Sequence, residues 1–216
     1  SILFSVMAEH GPVSGQAAWE AGYRKSGRRY GRAPPDLPPF PPGTRILEAG
    51  CGDGKSLLAM TGRGWDIVAI DFSREAIRIS AGQNMLERGR FVQADAAALP
   101  FTDGSFDVVS ISHILGHLPE EHRSRAASET ERILVQGGFA YIRVFSTRDF
   151  REGKGILTEP HTYLRGDGIM THYFSEEEVE TLFPTLVRME LSTTEWSMRI
   201  KGEHMNRSEI IALFRK

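Results

Sequence analysis

The stretch Ile46-Leu-Glu-Ala-Gly-Cys-Gly-Asp-Gly54 decides the fold of this 216-residue chain. It predicts a short apolar strand that runs into a turn with glycine at alternate positions. Glycine lacks a Cβ atom, so such a turn lets a ligand lie directly on backbone amides at the start of the next helix. The dinucleotide fingerprint G-x-G-x-x-G has its third glycine one residue later, and Glu48 and Asp53 would repel a pyrophosphate. The turn therefore suits a ligand that carries positive charge.

The ends of the next three predicted strands also carry polar groups. Asp66-Ile-Val-Ala-Ile-Asp71 ends in an acid roughly 20 residues after the turn, the offset at which an acid binds ribose hydroxyls in doubly wound folds. Arg90-Phe-Val-Gln leads to Asp95, an acceptor for an exocyclic amine such as that of adenine, and Phe106-Asp-Val-Val-Ser-Ile leads to Ser112-His113. Singly, Asp71 is equally well a helix cap and Asp95 a loop acid. Their order and spacing favour one site at the carboxyl ends of parallel strands.

These segments resemble the motifs of the Rossmann-like (class I) S-adenosylmethionine-dependent methyltransferase family. The matching segments are residues 48–54, 70–73, 93–96, 106–118 and 134–142, with Gln136 where the family often has proline. The likeness covers residues 44–145, and residues 207–216 resemble the family's last strand. It implies an α/β, doubly wound, mostly parallel seven-stranded sheet with an antiparallel last strand. It also implies S-adenosyl-L-methionine as cofactor and S-adenosyl-L-homocysteine as product.

The resemblance further implies which residues bind the cofactor. The glycine turn would hold the methionine part, with Glu48 toward its ammonium group. Asp71 would bind the ribose hydroxyls, Phe72 would pack on adenine, and Asp95 would accept from the adenine amine. His113 is the candidate catalytic residue, because a histidine near neutral can accept a proton from an acceptor. The implied cofactor-binding set is Glu48, Gly50, Cys51, Gly52, Asp71, Phe72, Asp95, Ala96, Ser112 and His113.

The methyl acceptor is not fixed by these motifs. The loop after the fifth strand opens at the same sheet edge, and binding residues tend to lie on such loops. The candidate acceptor contacts are Tyr23, Arg148, Glu159, His161, Tyr163, His172 and Tyr173. Each has a structural alternative: Tyr173 beside a helix start suits a hydrophobic staple, and Glu159 suits a solvated loop.

A small-molecule acceptor is the favoured hypothesis, and two alternatives stay open. An RNA acceptor, such as tRNA, would use a basic cluster with interleaved tyrosines, although such a run is more often a solvated surface. The cluster comprises Arg24, Lys25, Arg28, Arg29 and Arg32 with Tyr23 and Tyr30. The alternative of another class is a non-catalytic, cofactor-binding adaptor subunit, for which an incomplete cofactor motif would be expected.

The composition limits partners and compartment. A net charge of −2 gives no overall attraction to nucleic acid or to an anionic membrane. The single cysteine, Cys51, cannot form an internal disulfide, which favours a reducing, cytoplasmic location. Residues 1–8 are too few to span a bilayer and lack a basic leader, so no membrane association is expected. No Cys/His spacing typical of a metal site occurs, and nothing specifies the oligomeric state.

The pattern along the chain predicts one methyltransferase domain over residues 1–216. Residues 1–43 would form an N-terminal cap and proline-rich connector, 44–145 the cofactor-binding core, 146–173 an irregular acceptor-side insertion, and 174–216 a helix and two strands. Predicted helices cover residues 13–23, 54–62, 73–87 and 119–134, and another begins at a capping box at Ser175 and ends by Phe183 before Pro184. The two final strands are predicted at 186–198 and 209–215.

Overall fold

The computed structural model describes residues 4–5, 15–27, 37–83, 86, 89–200 and 202–216. The start of the predicted first helix, much of the basic cluster (Arg28, Arg29, Arg32 and Tyr30) and the first prolines of the connector lie outside these residues.

A mostly parallel sheet forms the centre of the fold. Its strands are β1 Phe4–Ser5, β2 Arg45–Ala49, β3 Asp66–Asp71, β4 Gly89–Gln93, β5 Phe106–Ser112, β6 Leu134–Phe145, β10 Val187–Ile200 and β11 Glu203–Arg215. The spatial order is β1-β4-β3-β2-β5-β6-β11-β10. Strand β11 is antiparallel to both of its neighbours, and every other adjacent pair is parallel. The predicted seven-stranded sheet with an antiparallel last strand is confirmed, and the two-residue β1 extends it at one edge.

The helices lie where the sequence predicts them but are mostly shorter. They are α1 Gln16–Ser26, α2 Leu57–Met60, α3 Arg74–Gly82, α4 Glu120–Ile133 and α5 Glu176–Leu182. The prediction of a helix over 54–62 was too long, because Gly54 and Gly62 both have positive φ angles, which a helix cannot accommodate. The prediction of 73–87 was also too long, because α3 ends at Gly82 with Gln83 as its cap. The Ser175 side chain accepts from the backbone N–H of Glu178, as expected of a capping box.

The prediction that residues 146–173 are irregular was wrong. They contain a second, small antiparallel sheet. Its strands are β7 Ile156–Glu159, β8 Thr162–Leu164 and β9 Met170–His172. Three or four residues are too few to display a strand's alternating pattern. Pro160 and His161 make the turn between β7 and β8, and His161 has a φ of 54°, which is rare for a residue other than glycine. In the sequence, the proline of this turn and the short length of the strands therefore favour a loop.

The two faces of the main sheet bury separate apolar cores because successive side chains of a strand point to opposite faces. On one face, Leu47, Val109 and Ile142 pack with residues of α4 and α5. On the other, Ile46 and Val108 pack with residues of α2 and α3. All five side chains are at most 1% exposed, so the strand ends project from a rigid base.

The second face becomes polar toward the carboxyl ends of its strands. Glu48 lies opposite Ser110 in the β2–β5 register, and Ser112 lies opposite Arg143 in the β5–β6 register. Glu209 of β11 lies opposite Phe145 of β6. Residues at paired positions point to the same face, so four neighbouring strands present one contiguous polar surface beside the glycine turn.

The last two strands extend beyond the sheet as a two-stranded arm. Strand β6 ends opposite Glu209, whereas β10 and β11 stay paired up to Ile200 and Glu203. The predicted start of the last strand at residue 209 was therefore too late. Most residues of β10 in the arm are exposed, so they need no apolar alternation, which removes the sequence signal for a strand. Within the described residues, no helix is long and apolar enough to cross a membrane.

Candidate functional site

The glycine turn after β2 follows a path that side chains would obstruct. Gly50 and Gly52 have φ angles of 75° and 54°, in the left-handed region that favours glycine. A Cβ atom at Gly50 would lie 1.9 Å from Cγ2 of Ile114, and one at Gly52 would lie 2.8 Å from the hydroxyl oxygen of Tyr23. The turn is therefore packed on one side by the segment after β5 and faced on the other by α1.

Asp71, at the end of β3, binds the backbone of the glycine turn. One of its carboxylate oxygens accepts from the N–H of Gly52 and the other from the N–H of Ser73, both at 2.9 Å. Burial raises the pKa of Asp71 to about 6, and these backbone hydrogen bonds oppose the rise. The carboxylate thus connects the turn to the start of α3, a contact that the strand-end pattern did not predict.

Cys51 and Glu48 are buried beneath the turn. Burial raises the pKa of the Cys51 thiol, so it stays protonated, which agrees with a small residue tolerated by the turn. Burial also raises the pKa of Glu48 to about 7. The hydroxyls of Ser110 and Ser56 and the charge of Arg143 lie close enough to oppose this rise. Within the described residues, however, no hydrogen bond of good geometry reaches either carboxylate oxygen of Glu48, and the Ser110 hydroxyl makes none. Unpaired buried carboxylate oxygens are costly, so they mark a place where a polar ligand or water is expected.

Phe72, Asp95 and Ala96 lie at the ends of β3 and β4. The Phe72 side chain packs against the cluster that contains Trp19 and Tyr23 of α1, and the Phe72 carbonyl oxygen accepts from the side chain of Gln93 at 3.1 Å. Asp95 accepts from the backbone N–H of residue 97 at 2.9 Å, which fixes its carboxylate at the strand end. Ala96 packs against the main core.

Helix α1 covers the turn as a cap. Trp19 and Tyr23 are 8% and 4% exposed although they lie on a surface helix. The helix is attached by Gln16, which donates to the carbonyl oxygen of Phe72 at 3.0 Å, and by Glu20, which accepts from the Ser73 hydroxyl at 2.5 Å. The sequence analysis did not select Gln16 and Glu20; their i, i+4 spacing on one helix face was the available signal.

Ser112 ends β5, and His113 follows it at the same edge. His113 has a φ of 63°, and its ring stacks on Phe145 with centroids 4.3 Å apart. Its Nε2 atom lies 3.4 Å from Glu209, whose other carboxylate oxygen accepts from Arg143 at 2.5 Å. Burial lowers the pKa of His113, whereas Glu209 raises it. Sequence reasoning missed Arg143 and Glu209, because only strand register brings them to the site.

Four of the residues predicted to contact an acceptor are occupied by other contacts. His172 lies between the Thr162 hydroxyl at 2.7 Å and the Glu178 carboxylate at 2.8 Å. Glu159 accepts from Arg123 of α4 at 3.0 Å. The remaining two are on exposed edges: Arg148 pairs with Glu195 of the arm, and His161 pairs with Glu152.

The other three predicted acceptor contacts are tyrosines. Tyr173 is 1% exposed and its ring centroid lies 6.4 Å from that of Phe145, which places it beside the His113 cluster. The Tyr163 ring packs 6.2 Å from Tyr173, and its hydroxyl donates to Glu152 at 3.0 Å. Tyr23 faces the glycine turn, so the structure brings it to the predicted methionine end of the cofactor rather than to the small sheet.

The comparisons with known proteins agree with this geometry. A family described as "Methyltransferase domain" matches residues 47–142, which run from β2 into β6. The human tRNA N(3)-cytidine methyltransferase METTL2B is 29% identical over 154 residues, 65% of this chain and 41% of that protein. Demethylmenaquinone methyltransferase from Renibacterium salmoninarum is 34% identical over 132 residues, 61% of this chain and 54% of that protein.

A solved structure shares the fold over most of both chains. It is an S-adenosylmethionine-dependent methyltransferase from Methanosarcina mazei, with a TM-score of 0.71 and 24% identity, covering 84% of this chain and 99% of that one. The chain spans only about half the length of the curated relatives it matches. The chain is therefore similar to class I S-adenosylmethionine-dependent methyltransferases in the domain match over residues 47–142, and it shares their fold.

Proposed function

We propose that this protein transfers a methyl group from S-adenosylmethionine to an acceptor, most favourably a small molecule. The observation that carries the proposal is the glycine turn bounded by two buried carboxylates, Glu48 and Asp71. The cofactor has a sulfonium and an ammonium group, and it has two ribose hydroxyls that can donate hydrogen bonds. Carboxylates are the natural partners of all these groups. This complete set of cofactor residues also argues against a non-catalytic adaptor subunit.

Each residue of the site has a proposed role. Glu48 faces the ammonium group, directly or through water, and Asp71 accepts from the ribose hydroxyls. Phe72 and Asp95 bind the adenine. His113 borders the methyl group. The methyl transfer is an in-line displacement whose leaving thioether needs no acid, so correct positioning supplies most of the rate.

The size of the acceptor is inferred from the cap. Trp19 and Tyr23 cover the turn and are buried, and an apolar cap of this kind suits a small molecule. Tyr173 and Phe145 supply an aromatic wall beside His113.

The second candidate, tRNA, is supported by the likeness to tRNA N(3)-cytidine methyltransferases and by the basic residues Arg24 and Lys25 at the end of α1. A cytoplasmic location is part of the same proposal and is supported by the free thiol of Cys51.

Calorimetry with S-adenosylhomocysteine tests the cofactor assignment. We expect binding in the micromolar range or tighter and no binding of NAD, because the carboxylates around the turn repel a pyrophosphate. Submicromolar affinity for NAD would overturn the proposal. Incubation with S-adenosylmethionine carrying a tritiated methyl group, against a metabolite extract and against total tRNA, then identifies the acceptor class by where the label appears.

At pH 8, Glu48→Gln should make the protein more stable but weaken its affinity for the cofactor. The folded pKa of Glu48 lies near 7, above the ordinary 4.5, so the folded protein becomes less stable as pH rises from about 4.5 to 7. Removing the charge should raise the free energy of unfolding at pH 8 by up to about 3 kcal/mol and leave it unchanged near pH 4.5. The same variant should bind S-adenosylhomocysteine more weakly at pH 8, because it lacks the carboxylate for the ammonium group.

Urea unfolding at both pH values and calorimetry at pH 8 measure these effects. Glu203→Gln is the matched control, because Glu203 is exposed on the arm. An equal stability difference at both pH values would show that Glu48 is not titrating in the folded protein. Unchanged affinity would remove Glu48 from the cofactor site.

A further inference from the structure

A histidine and two charged residues from distant parts of the chain form one cluster beside the glycine turn. His113 follows β5, Arg143 lies on β6 and Glu209 lies on β11. One oxygen of Glu209 lies 3.4 Å from Nε2 of His113, and the other accepts from Arg143 at 2.5 Å. Glu209 is 6% exposed, so Arg143 and the strand register hold its carboxylate in one place.

The imidazole ring of His113 is also held in a defined orientation. The backbone has a φ of 63°, a conformation that costs free energy for a residue other than glycine and is concentrated at functional sites. The backbone N–H donates to the carbonyl oxygen of Arg143 at 2.8 Å, which fixes the strand end. The ring stacks on Phe145 at an interplanar angle of 24°, and the guanidinium of Arg151 lies 4.2 Å from the Phe145 centroid.

The two nitrogen atoms of His113 have different surroundings. Nε2 faces the Glu209 carboxylate, which can only accept a hydrogen bond when ionised, so the proton of the neutral ring belongs on Nε2. Nδ1 is buried and has no hydrogen-bond partner among the described residues. It therefore has a free lone pair in a place where an unpaired polar atom is costly.

We propose that Glu209 is a positioning residue that holds His113 in the Nε2–H tautomer, so that Nδ1 takes the proton from a methyl acceptor that reacts through an O–H or N–H group. This inference rests on the proposed methyltransferase function and narrows its acceptor. In the reaction, the acceptor oxygen or nitrogen forms a bond to the methyl carbon while the bond from that carbon to sulfur breaks. The sulfur keeps the electron pair as a thioether. The acceptor's proton passes to Nδ1, and Glu209 stabilises the resulting imidazolium.

The same chemistry sets an O–H or N–H acceptor apart from cytidine in tRNA. The N3 atom of cytidine attacks with a lone pair and bears no hydrogen, so its methylation releases no proton from the attacking atom. A histidine with a free lone pair gives that reaction no help. The cluster therefore favours a small-molecule hydroxyl or amine over cytidine in tRNA.

The charges around His113 determine how its pKa should respond to substitution. Burial, Arg143 and Lys55 lower the pKa, Glu209 raises it, and His117 of the following 3₁₀ turn is a further titratable neighbour. Glu209→Gln removes the only one of these groups that stabilises the imidazolium, and its single carbonyl oxygen can accept from Arg143 or from Nε2 but not replace both carboxylate oxygens. We expect the pKa of His113 to fall by about 1 unit.

Nuclear magnetic resonance of the full chain with ¹⁵N-labelled histidine tests the tautomer of His113 and the effect of Glu209 on its pKa. Neither measurement needs a methyl acceptor. Comparison with His113→Gln assigns the signal. In the wild-type protein we expect a neutral ring at pH 7.5 with hydrogen on Nε2. Glu209→Gln should titrate about 1 unit lower, and Glu203→Gln, at an exposed position on the same strand, should titrate as the wild type does.

Three outcomes would overturn the proposal. The first is an Nδ1–H tautomer in the wild-type protein, which can be read even if Glu209→Gln does not fold. The second is an unchanged His113 pKa in folded Glu209→Gln. The third is the appearance of 3-methylcytidine when total tRNA is incubated with S-adenosylmethionine. Calorimetry with S-adenosylhomocysteine reports separately on the methyltransferase assignment, so loss of cofactor binding and loss of the tautomer are distinguishable.

Discussion

Gly52→Val should abolish binding of S-adenosylhomocysteine. Its loss of unfolding free energy should be little larger than that of a valine placed at another glycine turn with no close neighbours. The backbone at Gly52 has a φ of 54°, and a Cβ atom there would lie 2.8 Å from the Tyr23 hydroxyl. A branched side chain would fill the space between the turn and α1, where the proposed site places the methionine part of the cofactor. Binding cannot continue without displacing the cap, so we expect no detectable heat of binding.

Gly62→Val is the matched control for backbone strain. Gly62 has a φ of 73°, and nothing lies within 4 Å of the position of its Cβ atom, so valine there is strained but meets no neighbour. Both variants should lose on the order of 1–2 kcal/mol of unfolding free energy, and only Gly52→Val should lose the cofactor. Retained affinity in Gly52→Val, or equal loss of affinity in both variants, would show that the turn does not contact the cofactor.

The sequence predicts one side of this site better than the other. The glycine turn, Asp71 and Asp95 lie at the ends of successive strands, and their spacing follows from the strand–helix repeat. Arg143 and Glu209 are separated by 66 residues. Their contact depends on how β11 aligns with β6, and no local pattern encodes that register. The residues of the site on β6 and β11 could therefore be identified only from the structure.

Polar residues of the insertion illustrate a second limit. His172 and Glu159 have the residue types of an acceptor site, but Thr162, Glu178 and Arg123 bind their polar atoms. A residue type states what a side chain can do, whereas its neighbours decide whether it is available. The three short strands that create those neighbours give almost no periodic signal in the sequence.

Asp71→Ala should weaken the binding of S-adenosylhomocysteine by roughly 30-fold to 1000-fold. The ribose presents two hydroxyl donors, and loss of two charge-assisted hydrogen bonds costs on the order of 2–4 kcal/mol. The structure adds a second contribution, because Asp71 also accepts from the backbone N–H groups of Gly52 and Ser73. The variant therefore loses ribose contacts and part of the support of the turn.

Calorimetry at pH 8, where a carboxyl with a pKa of about 6 is ionised, measures the affinity. Asp66→Ala is the matched control, because Asp66 begins the same strand at its exposed, opposite end. Urea unfolding separates the two contributions. Removal of a buried charge offsets the two lost backbone contacts, so the free energy of unfolding should change by no more than about 1–2 kcal/mol. A folded Asp71→Ala protein with wild-type affinity would mean that this carboxylate serves only the backbone and that the ribose lies elsewhere.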